Sequence, residues 1–142
     1  MKIIRTIKIT NEQFYDYLEQ QLLNDFQCIN KKPISVKDIQ KGLHYKKEDP
    51  QSKLVTEIHI LKYIRGECYR FKVTYMSDST TIEYRTQPVD NGLQITMTQH
   101  IQSFEEKRHH KFSRHFHEAI YLSRMTQAIY DIESSILKDE RL

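Results

Sequence analysis

The chain has 142 residues, 38% of them hydrophobic and 11% aromatic, which is one domain's length with enough apolar side chain for a packed core rather than disorder. Lys and Arg number 22 against 19 Asp and Glu, and the formal net charge of +3 is too mild to point to nucleic acid. No run approaches ~18 apolar residues and the first residues lack the apolar stretch of a signal peptide, so a soluble, cytoplasmic protein without membrane insertion is expected.

Residues 2 to 10 are rich in β-branched side chains, with Ile3, Ile7 and Ile9 on one face, and predict a strand. Thr10 and Gln13 form a capping-box pattern that opens a helix with Phe14, Tyr17, Leu18 and Leu22 on its buried side and Phe26 as a further candidate; the helix is expected to end near Asp25, before Pro33. Cys28 and Cys68 have no C-x-x-C spacing and no disulfide framework, so two reduced, partly buried thiols are expected. Ile34 and Val36 predict a short extended piece or a second small helix. The stretch Gly42-Leu43-His44-Tyr45-Lys46 predicts a strand closed by Glu48-Asp49-Pro50.

From Lys53 onward the period is two. Leu54, Ile58, Ile60 and Ile64 alternate with polar residues up to the Arg65-Gly66 turn. Tyr69, Phe71, Val73 and Tyr75 then alternate with Arg70, Lys72 and Thr74 up to Ser77-Asp78-Ser79. Ile82 and Tyr84 follow opposite Glu83 and Arg85. Asn91-Gly92, which readily supplies positive φ, leads into Leu93, Ile95, Met97 and Ile101. Four strands joined by short turns make an antiparallel meander with one buried and one wet face.

Residues 103 to 139 predict one long helix without Gly or Pro. Its apolar stripe runs through Phe112, Phe116, Ala119, Leu122, Met125, Ile129, Ile132 and Ile136. It is the only large apolar surface left to cover the meander. The fold class is therefore α+β: a curved antiparallel sheet wrapped around a long C-terminal helix, with one short N-terminal helix, in a single domain over residues 1–142.

This order of elements resembles the helix-grip fold of the START and Bet v 1-like superfamily, in which a curved antiparallel sheet closes around a long C-terminal helix, often leaving a cavity between them. More narrowly, the Lys41-Gly42-Leu43-His44-Tyr45-Lys46 stretch, the Tyr69-Arg70-Phe71 strand and the alternation of aromatic and polar residues resemble a domain-of-unknown-function family from low-GC Gram-positive bacteria. The resemblance implies the fold and carries over no functional residues.

Residues 105 to 118 hold four of the seven histidines. Glu106 and His110 have the i, i+4 spacing of metal ligands, but His110 and His117 lie about 10 Å apart along a helix, too far for one ion. A solvated helix start is the plainer reading, with Ser103 and Glu106 as a capping box; a helix start just before Ser113 is the alternative. No metal and no cofactor are expected. Arg5 shares a face with Ile3 and Ile7, so it either emerges at a sheet edge or neutralises a buried acid. Arg70, Lys72 and Arg85 form a basic strand face that Glu57 and Glu83 dilute, and no nucleic-acid partner is expected.

There is no nucleophile elbow, Gly-rich phosphate loop, zinc motif or pair of catalytic carboxylates. The function expected is a non-enzymatic module that binds a small, mostly apolar molecule between sheet and helix. Tyr69, Phe71, Tyr75, Tyr84 and Met97 would line the pocket from the sheet, and His115, Phe116, Leu122 and Met125 from the helix. The alternatives are an interaction or regulatory protein with a filled core, and a cyclase- or hydrolase-like enzyme using His115 and a tyrosine as acid and base. Oligomeric state is left open.

Overall fold

The computed structural model describes residues 1–30, 34–106 and 111–140, and the side chains of residues 1–26, 34–105 and 113–139. Strand β1 (Lys2–Ile7) is followed by helix α1 (Asn11–Asn30), a 3-10 turn (Val36–Asp38), and strands β2 (His44–Glu48), β3 (Val55–Ile64), β4 (Cys68–Tyr75), β5 (Asp78–Val89) and β6 (Gly92–Ile101). Helices α2 (Gln102–Glu106) and α3 (Lys111–Glu140) close the chain. The sheet order is β1-β6-β5-β4-β3-β2, and every neighbouring pair is antiparallel. The architecture is the α+β one expected: a curved sheet, a long C-terminal helix and one shorter N-terminal helix.

Local chemistry sets most boundaries. The Thr10 amide donates to Gln13 Oε1 at 2.8 Å and the Gln13 amide donates to Thr10 Oγ1 at 3.1 Å, so the expected capping box opens α1. The helix then runs to Asn30 rather than stopping near Asp25, because no Gly or Pro intervenes before Pro33. Gly92 has φ +145°, and a Cβ there would sit 2.1 Å from the Ile7 carbonyl oxygen, so only glycine lets β6 pass the end of β1.

The C-terminal segment departs from expectation in two ways. The described helix comes in two segments, α2 and α3, and the Ser103 amide and hydroxyl donate to the Asp78 carboxylate on β5, at 3.0 and 2.6 Å, while the Glu106 side chain expected to complete a capping box lies outside the described side chains. The apolar stripe also twists off the core. Each three-residue step covers about 300°, some 60° short of a turn, so the three successive steps from Phe116 through Ala119 and Leu122 to Met125 lose about half a turn. Met125, Ile129 and Ile136 are buried, whereas Phe116 is 65% exposed.

Strand β3 carries a second device. The register with β4 shifts between Ile60 and Lys62, a β-bulge that turns Tyr63 inward opposite Tyr69. Ile64, expected to continue the apolar alternation, is left 43% exposed. The inner face is covered by both long helices. Ile3, Ile7, Leu93, Ile95 and Met97 from β1 and β6 pack with Met125, Ile129 and Ile136 of α3. Leu22 and Phe26 of α1 pack with Tyr45, Ile60 and Tyr69 from β2, β3 and β4. Each side chain fully withdrawn from water in this way contributes about 1.5–3 kcal/mol. Arg5, half-buried on edge strand β1, donates to the Ile4 carbonyl at 2.8 Å and to Thr126 Oγ1 of α3 at 3.4 Å and pairs with no described carboxylate, so it sits at the sheet edge rather than neutralising a buried acid. Cys68 is free and buried; Cys28 lies outside the described side chains.

Candidate functional site

The inner face of the meander holds a closed circuit of six aromatic rings. Centroid separations are 5.2 Å from Phe14 to Tyr15, 6.1 Å to Tyr63, 5.7 Å to Tyr69, 4.7 Å to Phe71, 6.3 Å to Tyr84 and 5.8 Å back to Phe14. Most contacts are edge-on, the arrangement the ring quadrupoles favour. Phe14 and Tyr15 come from α1 and the others from three strands, so the helix and the sheet each supply part of the circuit.

The phenols of this circuit have different partners. The Tyr15 hydroxyl shares a 3.0 Å hydrogen bond with Thr86. The Tyr63 hydroxyl donates to Glu19, the buried carboxylate of α1, which also accepts from Arg65 Nη1 at 2.6 Å. Outside the circuit, Tyr45 donates to Asp25 at 3.2 Å. No hydrogen bond joins the hydroxyls of Tyr69 or Tyr84 to another described residue, although both residues are buried. Burial holds the phenols of Tyr45, Tyr63 and Tyr69 well above their usual range and pushes Tyr84 up to about 12. All are neutral donors at physiological pH.

Beyond the circuit, cover thins. The cross-strand rows Ile58–Val73–Thr80 and Phe71–Ile82 face inward with Ile58, Phe71, Val73, Thr80 and Ile82 each only half-buried. At the end of β4, Tyr75 is 43% exposed. In the first half of α3, Tyr121 packs edge-on against Phe104 of α2 at 5.4 Å, and the Arg114 guanidinium lies 5.2 Å over the same ring.

The nine residues expected to line a pocket are distributed over three environments. Tyr84, Met97 and Met125 are buried in one cluster with Phe71 and Leu122 packed against it. Tyr69 belongs mainly to the adjoining cluster. Tyr75, His115 and Phe116 are exposed. His115 falls about one heptad before Leu122, hence on the same side of the helix, whereas Phe116 has rotated away. Ile58, Val73 and Ile82 were visible as inward strand positions but not as pocket-lining residues, because their partial cover depends on where α1 and α3 cross the sheet. The Glu106 and His110 pair weighed for a metal lies outside the described side chains. No helix among the described residues is long and apolar enough to cross a membrane.

A curved antiparallel sheet with a long C-terminal helix across its inner face defines a helix-grip protein, and solved structures share it. The protein of unknown function SA2116 from Staphylococcus aureus superposes with a TM-score of 0.64 at 16% identity, over 99% of this chain and 94% of that one. Protein CV1439 from Chromobacterium violaceum gives a TM-score of 0.61 at 13% identity, covering 96% and 95%. Ara h 8.0201, a Bet v 1-like structure, gives 0.61 at 10% identity, covering 97% of each chain. At these identities the likeness is one of fold. The chain belongs to the domain-of-unknown-function family DUF3284, whose profile matches residues 1–122. No curated protein matches the chain in sequence.

Proposed function

We propose that the protein is a non-enzymatic, cytoplasmic module that binds a small, mostly apolar molecule on the inner face of its sheet. The observation that carries this reading is the half-covered apolar surface of Ile58, Val73 and Ile82 beside a fully sealed core. A filled core would have closed over those side chains; water against them is unfavourable by about 25 cal/mol per Å². Phe71, paired with Ile82, adjoins the surface, and Leu122 and His115 of α3 together with the Tyr69 and Tyr84 hydroxyls, which have no partner among the described residues, would supply its further contacts. Tyr75, exposed at the end of β4, stands at its rim, and Phe116 points away from it.

Native mass spectrometry of protein purified from its source should retain a small molecule, and displacement of an apolar dye by fatty acids or aromatic compounds should saturate at one site. Val73→Trp, which fills the surface with a large ring, should abolish dye binding while leaving the fold intact. If the native protein binds no apolar probe, the reading fails. Exposure of Met76 at 68% and Phe116 at 65% would then favour an interaction module that presents apolar side chains outward.

A further inference from the structure

The opposite face of the sheet has a different chemistry. Outward positions of β2 to β6 carry no Phe or Tyr; at the centre they carry mostly Lys, Arg, His, Thr and Ser, with Glu48, Glu57 and Glu83 as the carboxylates and Val55, Ile64, Cys68 and Val89 near the strand ends. One cross-sheet row runs His44, His59, Lys72, Thr81, His100 through successive strand pairings. Two adjoining clefts open on it. The first, of about 360 Å³, is lined by Lys72, Ser79, Thr81, His100, Gln102 and Glu105. The second, of about 280 Å³, is lined by Arg70, Thr81, Glu83, Thr98 and His100. Thr81 and His100 border both.

The two carboxylates that line these clefts, Glu83 and Glu105, are already occupied, while Glu57 stands outside them on β3, opposite Thr74. Glu83 accepts from Arg70 Nε at 2.6 Å, with Arg70 Nη2 at 2.5 Å, and from Arg85 Nε at 2.5 Å, which holds the Arg70 guanidinium in place and leaves Nη1 as its remaining donor nitrogen. Burial opposes ionisation of Glu83, but these hydrogen bonds outweigh it and keep its carboxyl below the usual range. Glu105 is bonded to His100 Nδ1 at 2.8 Å. Lys72 forms no ion pair with any described carboxylate. It stands two residues from Arg70 on the same strand, about 7 Å along it, with both side chains on the same face. A tetrahedral oxyanion set between two such cations can accept from both, and the Thr81 hydroxyl lies across from Lys72 to donate to it.

We propose that this outer face binds the phosphate group of a small phosphorylated molecule, bridged between Lys72 and Arg70 over Thr81, with the rest of the molecule extending along the clefts toward Thr98 or Ser79. The lack of outward Phe and Tyr rings removes the stacking platforms a single-stranded nucleic acid would use. The site lies on the opposite face from the apolar surface, so either can fail without the other.

The test is a titration of the full chain, followed by amide NMR, with inorganic phosphate, pyrophosphate and a chloride control at matched ionic strength. Saturable shifts confined to the amides around Lys72, Thr81, Thr98 and His100, absent with chloride, are expected. Lys72→Gln should weaken binding about tenfold or more with an unchanged melting temperature, since it removes a charge-assisted donor from an exposed position. Thr81→Val should weaken it less, and dye binding on the inner face should be untouched by either variant. Shifts that rise without saturation, or equal affinity in Lys72→Gln, would overturn the proposal. Tighter binding of a single-stranded oligonucleotide through the same amides would also overturn it and make the face a nucleic-acid surface.

Discussion

Glu19 sits 6% exposed on α1, and a carboxylate there is tolerable only because hydrogen-bond donors reach it. Tyr63 and Arg65 both reach it, and the second Arg65 nitrogen spans to Asp16 at 2.5 Å, so one guanidinium clamps two carboxylates a helical turn apart. Arg65 is 39% exposed on its side chain, which screens part of the Coulomb gain. Arg65→Ala should therefore cost about 1–3 kcal/mol in chemical unfolding, mostly the penalty of leaving Glu19 under-satisfied. Arg65→Lys should restore only part of this, since an ammonium cannot fork to both partners. An unchanged unfolding midpoint for Arg65→Ala would mean that Tyr63 alone satisfies Glu19. The sequence separation of 46 between Arg65 and Glu19 explains why no sequence pattern announces the pair. Tyr63 joins it only because the β3 bulge reverses which side chains point inward.

Helix α3 illustrates how periodicity both informs and misleads at the level of an element. Its second half keeps mixed steps of three and four, and Ile129 and Ile136 are buried as that spacing requires. Its first half drifts by half a turn, and Phe116 leaves the core. Two substitutions separate the halves. Ile129→Asp should cost several kcal/mol, because it places an unpaired charge at a position with no exposure. Phe116→Ala should shift stability by no more than about 0.5 kcal/mol. Thermal denaturation followed by circular dichroism checks both; a large loss for Phe116→Ala would show that its ring is held by the protein after all.

For the molecule as a whole, the tyrosines make alkaline pH the revealing variable. In the unfolded chain a phenol ionises near pH 10, whereas in the fold burial raises Tyr15 and Tyr84 to about 12 and Tyr45, Tyr63 and Tyr69 further. The folded state thus binds these protons more tightly than the unfolded state. Their contribution is complete below about pH 10 and is lost as pH rises toward 12 and beyond. The melting temperature should be nearly flat from neutral pH to about pH 9 and then fall steeply. Tyrosinate absorbance should appear together with loss of secondary structure. Tyr84→Phe should make the fall shallower. Absorbance that develops fully while the fold persists would mean that these hydroxyls already meet water.

The sequence by itself determined what local rules control. Alternation at Tyr69, Phe71 and Val73 against Arg70 and Lys72 set the two faces of the meander, the Thr10–Gln13 capping box set the start of α1, and Asn91-Gly92 set the last hairpin. These depend on residues within a few positions of one another, where backbone geometry leaves few choices. Only the tertiary structure decided which inward side chains are sealed and which stay half-covered. That outcome depends on where two helices distant in sequence cross the sheet, on a bulge that nothing in the periodicity of β3 marks, and on the Asp78 carboxylate that ends the strand-to-helix connection at Ser103. Burial is a property of packed surfaces, and no single segment encodes how much of its apolar face a remote neighbour will reach.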